Sequence, residues 1–125
     1  MSLYKFSFEL EGLPKSQTNN YGHWRTRAKS KKLWEEMVLE AVLFERPERP
    51  LARARLTLTR CSSTAPDADN LCASFKPIVD GLTKAGIIED DNMAVIGFPD
   101  YQWQKAKRGE GKVIITVEEV DPDAP

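Results

Sequence analysis

Between Tyr4 and Leu10 every second residue is apolar: Tyr4, Phe6, Phe8 and Leu10 alternate with Lys5, Ser7 and Glu9. Successive side chains of an extended chain point to opposite faces, so this period of two specifies a strand with one buried and one wetted face. Ala54, Leu56 and Leu58 repeat the pattern against Arg55, Thr57 and Thr59, giving a second strand over 52–60. Between the two strands the period changes. Gly12, Pro14 and the polar run to Asn20 break the first strand, and an aromatic, basic loop over 21–32 leads into a helix over about 30–44. In that helix Leu33, Met37 and Ala41 form one row and Trp34, Val38 and Val42 the next, with Glu35, Glu36 and Glu40 on the wet side. Leu39 and Leu43 widen the apolar stripe beyond what one sheet face covers, so a second burial surface, a subunit partner, is expected there. Pro47 and Pro50 close the helix.

Leu71, Phe75, Ile78, Val79 and Leu82 describe a second helix over 71–85 that stops at Gly86. Proline costs about 3 kcal/mol inside a helix but is tolerated in a first turn. Pro77 therefore leaves two possibilities: Ser74 caps the main helix, or a helix starting near Asn70 kinks at Pro77. Residues 94–98 and 101–105 read as one interrupted strand and 112–118 as the last, joined into a hairpin by the turn Ala106–Gly111. The order β-α-β-α-β-β predicts one α+β domain over residues 1–120, a mixed sheet with two helices on one face, and a frayed acidic tail over 121–125. A chain of 125 residues, 41% of them apolar, suits one modest core.

No run approaches the roughly 18 apolar residues of a membrane span, and the alternating start does not resemble a signal peptide, so a cytoplasmic protein without a membrane partner is expected. Cys61 and Cys72 lack zinc-site spacing and read as buried, reduced thiols rather than a disulfide or metal ligands. The net charge of -1, taken alone, disfavours a nucleic-acid partner. Its distribution does not. Of 19 acidic residues, four fall in the tail (Glu118, Glu119, Asp121, Asp123) and six between Asp67 and Asp91, which leaves the remaining surface basic.

Asp67-Ala68-Asp69-Asn70 directly follows a strand, and in extended chain its two aspartates share one side. Two carboxylates so placed can hold a hard cation such as magnesium or manganese, which activates water against a phosphodiester; equally, they can cap the following helix. Glu89-Asp90-Asp91-Asn92 is a second acidic cluster, by itself either a solvated turn or part of the same site. An EF-hand is disfavoured because Leu71 and Cys72 occupy positions that need an oxygen ligand and a glycine. There is no P-loop or GxGxxG, which weighs against nucleotide or nucleotide-sugar chemistry at a DxD motif, and His23, the single histidine, cannot build a paired-histidine centre. Tyr21, Trp24, Arg25, Arg27, Lys29, Lys31 and Lys32 interleave aromatics with cations in a manner suited to phosphates and bases, or else to a charged helix entrance. Lys105, Lys107 and Arg108 form a second basic site, or protect an exposed turn.

Together Asp67-Ala68-Asp69-Asn70-Leu71, Phe75-Lys76-Pro77-Ile78-Val79-Asp80-Gly81-Leu82 and Ala85-Gly86-Ile87-Ile88-Glu89-Asp90-Asp91 resemble the RusA family of Holliday-junction resolvases, and the resemblance extends over nearly the whole chain. It implies a small cytoplasmic homodimer, often phage- or prophage-encoded, that cuts four-way DNA junctions in recombination and repair. A two-fold dimer suits the approximate two-fold symmetry of such a junction. By the resemblance Asp67, Asp69 and Asp91 bind magnesium, with manganese a possible substitute, and Lys76, four residues before Asp80, stabilises charge on the phosphate. Lys76 and Asp80 can also be a plain i,i+4 surface pair. The spacing departs from the family pattern: Lys76 lies seven residues after Asp69 rather than four, about one helical turn or roughly 5 Å further along a continuous helix. A bend at Pro77 or a late helix start would absorb the difference. The alternative to a resolvase is a catalytically silent branched-DNA-binding protein of the same fold.

Overall fold

Four strands form one sheet in the computed structural model, which describes residues 3–14 and 24–121, with residues 24–29 described by their backbone alone. They are β1 (Lys5–Glu11), β2 (Ala54–Ser62), β3 (Asp100–Lys105) and β4 (Lys112–Glu119), in the order β1-β4-β2-β3. β4 runs antiparallel to β1 and to β2, and β3 lies parallel to β2 at the edge. The helices are α1 (Trp24–Ala41), α2 (Ala68–Ser74), α3 (Lys76–Lys84) and the single turn α4 (Met93–Ile96). This is the expected single α+β domain with a mixed sheet. Phe8, Ile115, Leu58 and Tyr101 stand side by side across all four strands, and Phe6, Val117 and Leu56 form the neighbouring row. These rows share one core with Trp34 and Val38 of α1, Val42 just beyond its end, and Ile78, Val79 and Leu82 of α3. Each large side chain so buried contributes about 1.5–3 kcal/mol, which makes the helix–sheet layer the main source of stability. On the other face Ser7 and Thr116 exchange a hydroxyl hydrogen bond of 3.0 Å in the open.

The strand readings held for β1, β2, β4 and, over 101–105, for β3, and failed over 94–98. Residues 94–98 are not a strand. Asn92 Oδ1 accepts from Val95 N at 3.0 Å, which starts α4, and Val95 and Ile96 are buried from that turn. A short apolar run is ambiguous between strand and helix, and the cap decides it. Nor do β3 and β4 form a hairpin, because β2 lies between them. The link from Ala106 to Gly111 instead passes the end of β2, where Ala106 N donates to Ser62 O at 3.0 Å. A parallel β2–β3 pair needs a crossover, which α2, α3 and α4 supply.

The helices also depart from expectation. α1 begins at Trp24, inside the segment expected to be loop, and ends at Ala41 rather than 44, with Glu45 N donating to Val42 O (2.9 Å) in the turn beyond. Of its two apolar rows, Trp34, Val38 and Val42 are buried, whereas Leu33 and Ala41 are exposed and Met37 is half-buried. The expected second helix is two, broken at Phe75. Ser74 does not cap α3, because its hydroxyl donates to Leu71 O at 2.8 Å. There is no kink at Pro77 either; it sits in the first turn of α3, where a missing N–H costs nothing. Among the described residues no helix is long and apolar enough to cross a membrane.

α1 and α3 meet at Gly81. A Cβ there would lie 3.0 Å from Val38 Cβ and 3.2 Å from Glu35 Cα, so the helices approach closely only because the side chain is missing. Lys84 Nζ donates to Glu35 Oε2 at 2.8 Å and Lys31 Nζ lies 3.2 Å from Asp80 Oδ2 across the same seam. Gly81→Ala gains up to about 1 kcal/mol in helix propensity. It loses about 1–3 kcal/mol by overpacking. A net destabilisation of roughly 1 kcal/mol is expected in a urea melt; a more stable variant would mean that α1 gives way freely.

Candidate active site

Pro66 ends the approach from β2 and α2 starts immediately after it, with Asp67 at the N-cap in extended conformation (φ -65°, ψ 152°) but without a side-chain capping bond. Its carboxylate is therefore not used as a cap. Asp69, in the first turn, lies where helix amides favour negative charge, and its Oδ1 accepts from Asn70 N at 3.0 Å. The break at buried Phe75 then restarts the helix at Lys76. Lys76 Nζ donates to Asp80 Oδ1 at 3.0 Å, one turn on, and to Asp91 Oδ2 at 2.6 Å.

Asp91 arrives from a different segment. Ile87 and Ile88 are buried, and Leu51 holds their backbone on both sides: Leu51 N donates to Ile87 O (2.9 Å) and Glu89 N to Leu51 O (3.1 Å). The two isoleucines thus bring the chain back beside the core and hand the acidic cluster to α3. Asp90 folds onto its neighbours, accepting from Asp91 N at 2.7 Å and from Asn92 Nδ2 at 3.1 Å. Lys31, Asp80, Lys76 and Asp91 form an alternating run of charges.

Asp69, Lys76 and Asp91 line one cleft of about 770 Å³. Its other wall is apolar, with Met93, Ile96, Phe98, Pro99 and Tyr101. Sequence reasoning missed this wall because it assigned the segment to a strand; the available signal was Gly97-Phe98-Pro99, a turn-like triplet inside an apolar run. Asp67 is not in the lining. The basic residues divide. Lys31 is tied to Asp80, while Lys32 lines a shallow groove with Glu35, Glu36 and Lys84. Lys105 and Lys107 line a separate groove of about 980 Å³ with Glu110 and Lys112, beside the exposed Arg108. Tyr21 lies outside the described residues, and for Trp24, Arg25, Arg27 and Lys29 the helical backbone alone is described.

The hydrogen bonds to Asp91 and then Asp80 hold the Lys76 ammonium above the ordinary lysine range, against a smaller opposing effect of burial. Reciprocally, Lys76 holds the Asp91 carboxyl below the usual aspartate range. Burial pushes the Tyr101 phenol up. A lowered folded-state value means that Asp91 contributes stability above the ordinary aspartate range and loses it as pH falls through the lowered value. For Lys76 the contribution is present below the ordinary lysine range and lost as pH rises through the raised value. The pair is thus intact from about pH 4 to about pH 10. In Lys76→Met the Asp91 carboxyl should titrate distinctly higher by carbon NMR, because the opposing burial effect remains; an unmoved midpoint would show that the contact does not form in solution.

Among the described residues no three His, Cys, Asp or Glu side chains converge into a ready-made cage. A magnesium ion does not require one: it commonly binds through one or two carboxylates, retained waters and substrate phosphates. Asp69 and Asp91 offer oxygen donors of that kind in one cleft, so the residues fit a hard divalent cation. Fold and cleft together define a small α+β domain with carboxylates and a lysine facing an apolar wall. No family model matches the chain, and no curated protein matches it.

Proposed function

We propose that the chain is a magnesium-dependent endodeoxyribonuclease that resolves four-way DNA junctions, with manganese able to substitute. The single observation that carries this reading is the meeting of Asp69, Lys76 and Asp91 in one cleft from three separate segments, with Lys76 Nζ 2.6 Å from Asp91. The break at Phe75 supports it further, since it interrupts the continuous helix on which the longer Asp69-to-Lys76 spacing would set Lys76 about one turn further away. Asp69 and Asp91, with Asp67 as a third donor by the RusA resemblance, would hold the ion. A bound ion of this kind supplies an activated water and charge neutralisation. Lys76 donates hydrogen bonds to the developing phosphate charge, and Asp80 and Lys31 keep its ammonium aimed into the cleft. A homodimer in the cytoplasm belongs to the same reading, with the exposed Leu33 and Leu39 of α1 and Leu43 just beyond it as the face a second copy would cover; a monomeric mass by light scattering counts against it.

The test is cleavage of a synthetic four-way junction, with magnesium or manganese, against linear duplex. Paired nicks near the branch point are expected. No nicking with either ion sinks the enzyme. Junction binding without nicking supports the second reading, a silent branched-DNA binder, which is favoured by the engagement of Lys76 by two carboxylates at once.

A further inference from the structure

Asp69, Lys76 and Asp91 account for a phosphodiester at the cleft but leave unexplained why most of its lining is apolar. Phe98 is 85% exposed and Met93 60% exposed, although both line the same cleft as Asp69 and Asp91. Large apolar groups held in water beside a polar cluster mark a binding surface. The backbone builds in their presentation: Gly97, which ends α4, has φ 58° and ψ -149°, a conformation essentially restricted to glycine. Nothing lies within 4 Å of where its Cβ would be, so the backbone turn, not crowding, requires glycine there.

We infer that this apolar lining forms a nucleobase pocket, in which Phe98 takes the face of a base unstacked next to the phosphodiester held beside Lys76. The occupant follows from the two-ended chemistry of the cleft. A nucleotide joins an anionic phosphate to a flat, weakly polar ring, and the cleft joins Lys76 and two carboxylates to an exposed aromatic and a thioether. Every base has a π-face, so a stack on Phe98 is tolerant of sequence. Bases inside an intact duplex are not available for such a contact, whereas those at a branch point unstack at lower cost. The inference rests on the proposed reading and deepens it: the cleft selects DNA whose base beside the scissile phosphate is free to leave the stack.

The test is a double-mutant cycle read by binding, with calcium replacing magnesium to hold the junction uncut. Full-length wild type, Phe98→Ala and Phe98→Tyr are titrated into a four-way junction, intact or carrying one abasic site at a nucleotide flanking the branch point. Base–aromatic stacking predicts a loss of roughly tenfold to a hundredfold for Phe98→Ala, largely recovered in Phe98→Tyr. The abasic junction should weaken wild type by a similar factor and Phe98→Ala no further. Losses that simply multiply at every flanking position overturn the pocket, as does binding that neither Phe98→Ala nor the abasic site weakens. Cleavage of the intact junction in magnesium is read in parallel. Coupling without cleavage removes the nuclease reading and keeps the pocket; cleavage without coupling does the reverse; no junction binding by wild type removes both.

Discussion

Asp91→Asn should lower metal-dependent cleavage of a four-way junction by more than about a hundredfold while leaving junction binding unchanged or tighter. The substitution keeps the shape of the side chain and removes one negative charge from a cleft that must accept an anion. It also removes the carboxylate charge 2.6 Å from the Lys76 ammonium, leaving Asp80 as the ion-pair partner on the other side. Partners outside a ligand shell already cost 10–100-fold when lost, so a direct oxygen donor should cost at least the upper part of that range. Asp69→Asn should behave in the same way, and Asp67→Asn then ranks the three. Asp67 stands at the N-cap of α2 outside the cleft lining. A defect there as deep as that of Asp91→Asn would mean that α2 turns inward when substrate and ion are present. Cleavage retained by Asp91→Asn would take that residue out of the proposed site and reduce its contact with Lys76 to an ordinary ion pair, commonly worth under about 1 kcal/mol when exposed.

The strands with one wet face were legible because burial and period coincide: Leu56 and Leu58 are buried on the same side as Val117 and Ile115. β3 was legible as a strand, since Tyr101 and Trp103 alternate with Gln102 and Gln104, but not its place: it is an edge strand whose parallel partner is decided by a crossover that no local pattern encodes. Leu33 and Ala41 continue the helical stripe of α1 yet are exposed, because the sheet and α3 between them cover only the row of Trp34, Val38 and Val42. In the candidate site the identity of the acidic residues was readable but not their arrangement. Asp69 and Asp91 are far apart in the chain, and what joins them is the hydrogen bonding of Leu51 to Ile87 and Glu89. The break at Phe75 was foreshadowed by Pro77 but fell two residues earlier, where burial of a large ring outweighs continuity of one helix.

That break makes Phe75 the residue through which fold and site are most directly coupled. Its ring is fully buried, packs 6.0 Å from the ring of Tyr101 at a 43° tilt, and fills the space where α2 ends and α3 begins. Phe75→Ala should cost about 3–5 kcal/mol, the usual cost of emptying such a site. Small domains commonly have only about 5–15 kcal/mol in total. The midpoint of thermal unfolding should fall by roughly 10–25 °C. Phe75→Leu, which keeps most of the volume, should cost only about 1–1.5 kcal/mol. A melt in which Ala and Leu are equally tolerated would show that the ring is not enclosed. The Leu variant carries the more specific consequence. Asp69 and Lys76 flank Phe75 on two short helices, so a smaller side chain at the joint lets α2 and α3 settle differently while the rest of the core stays intact. Junction cleavage by Phe75→Leu should therefore fall by more than its modest loss of stability accounts for, at a temperature where the variant is fully folded by near-ultraviolet circular dichroism.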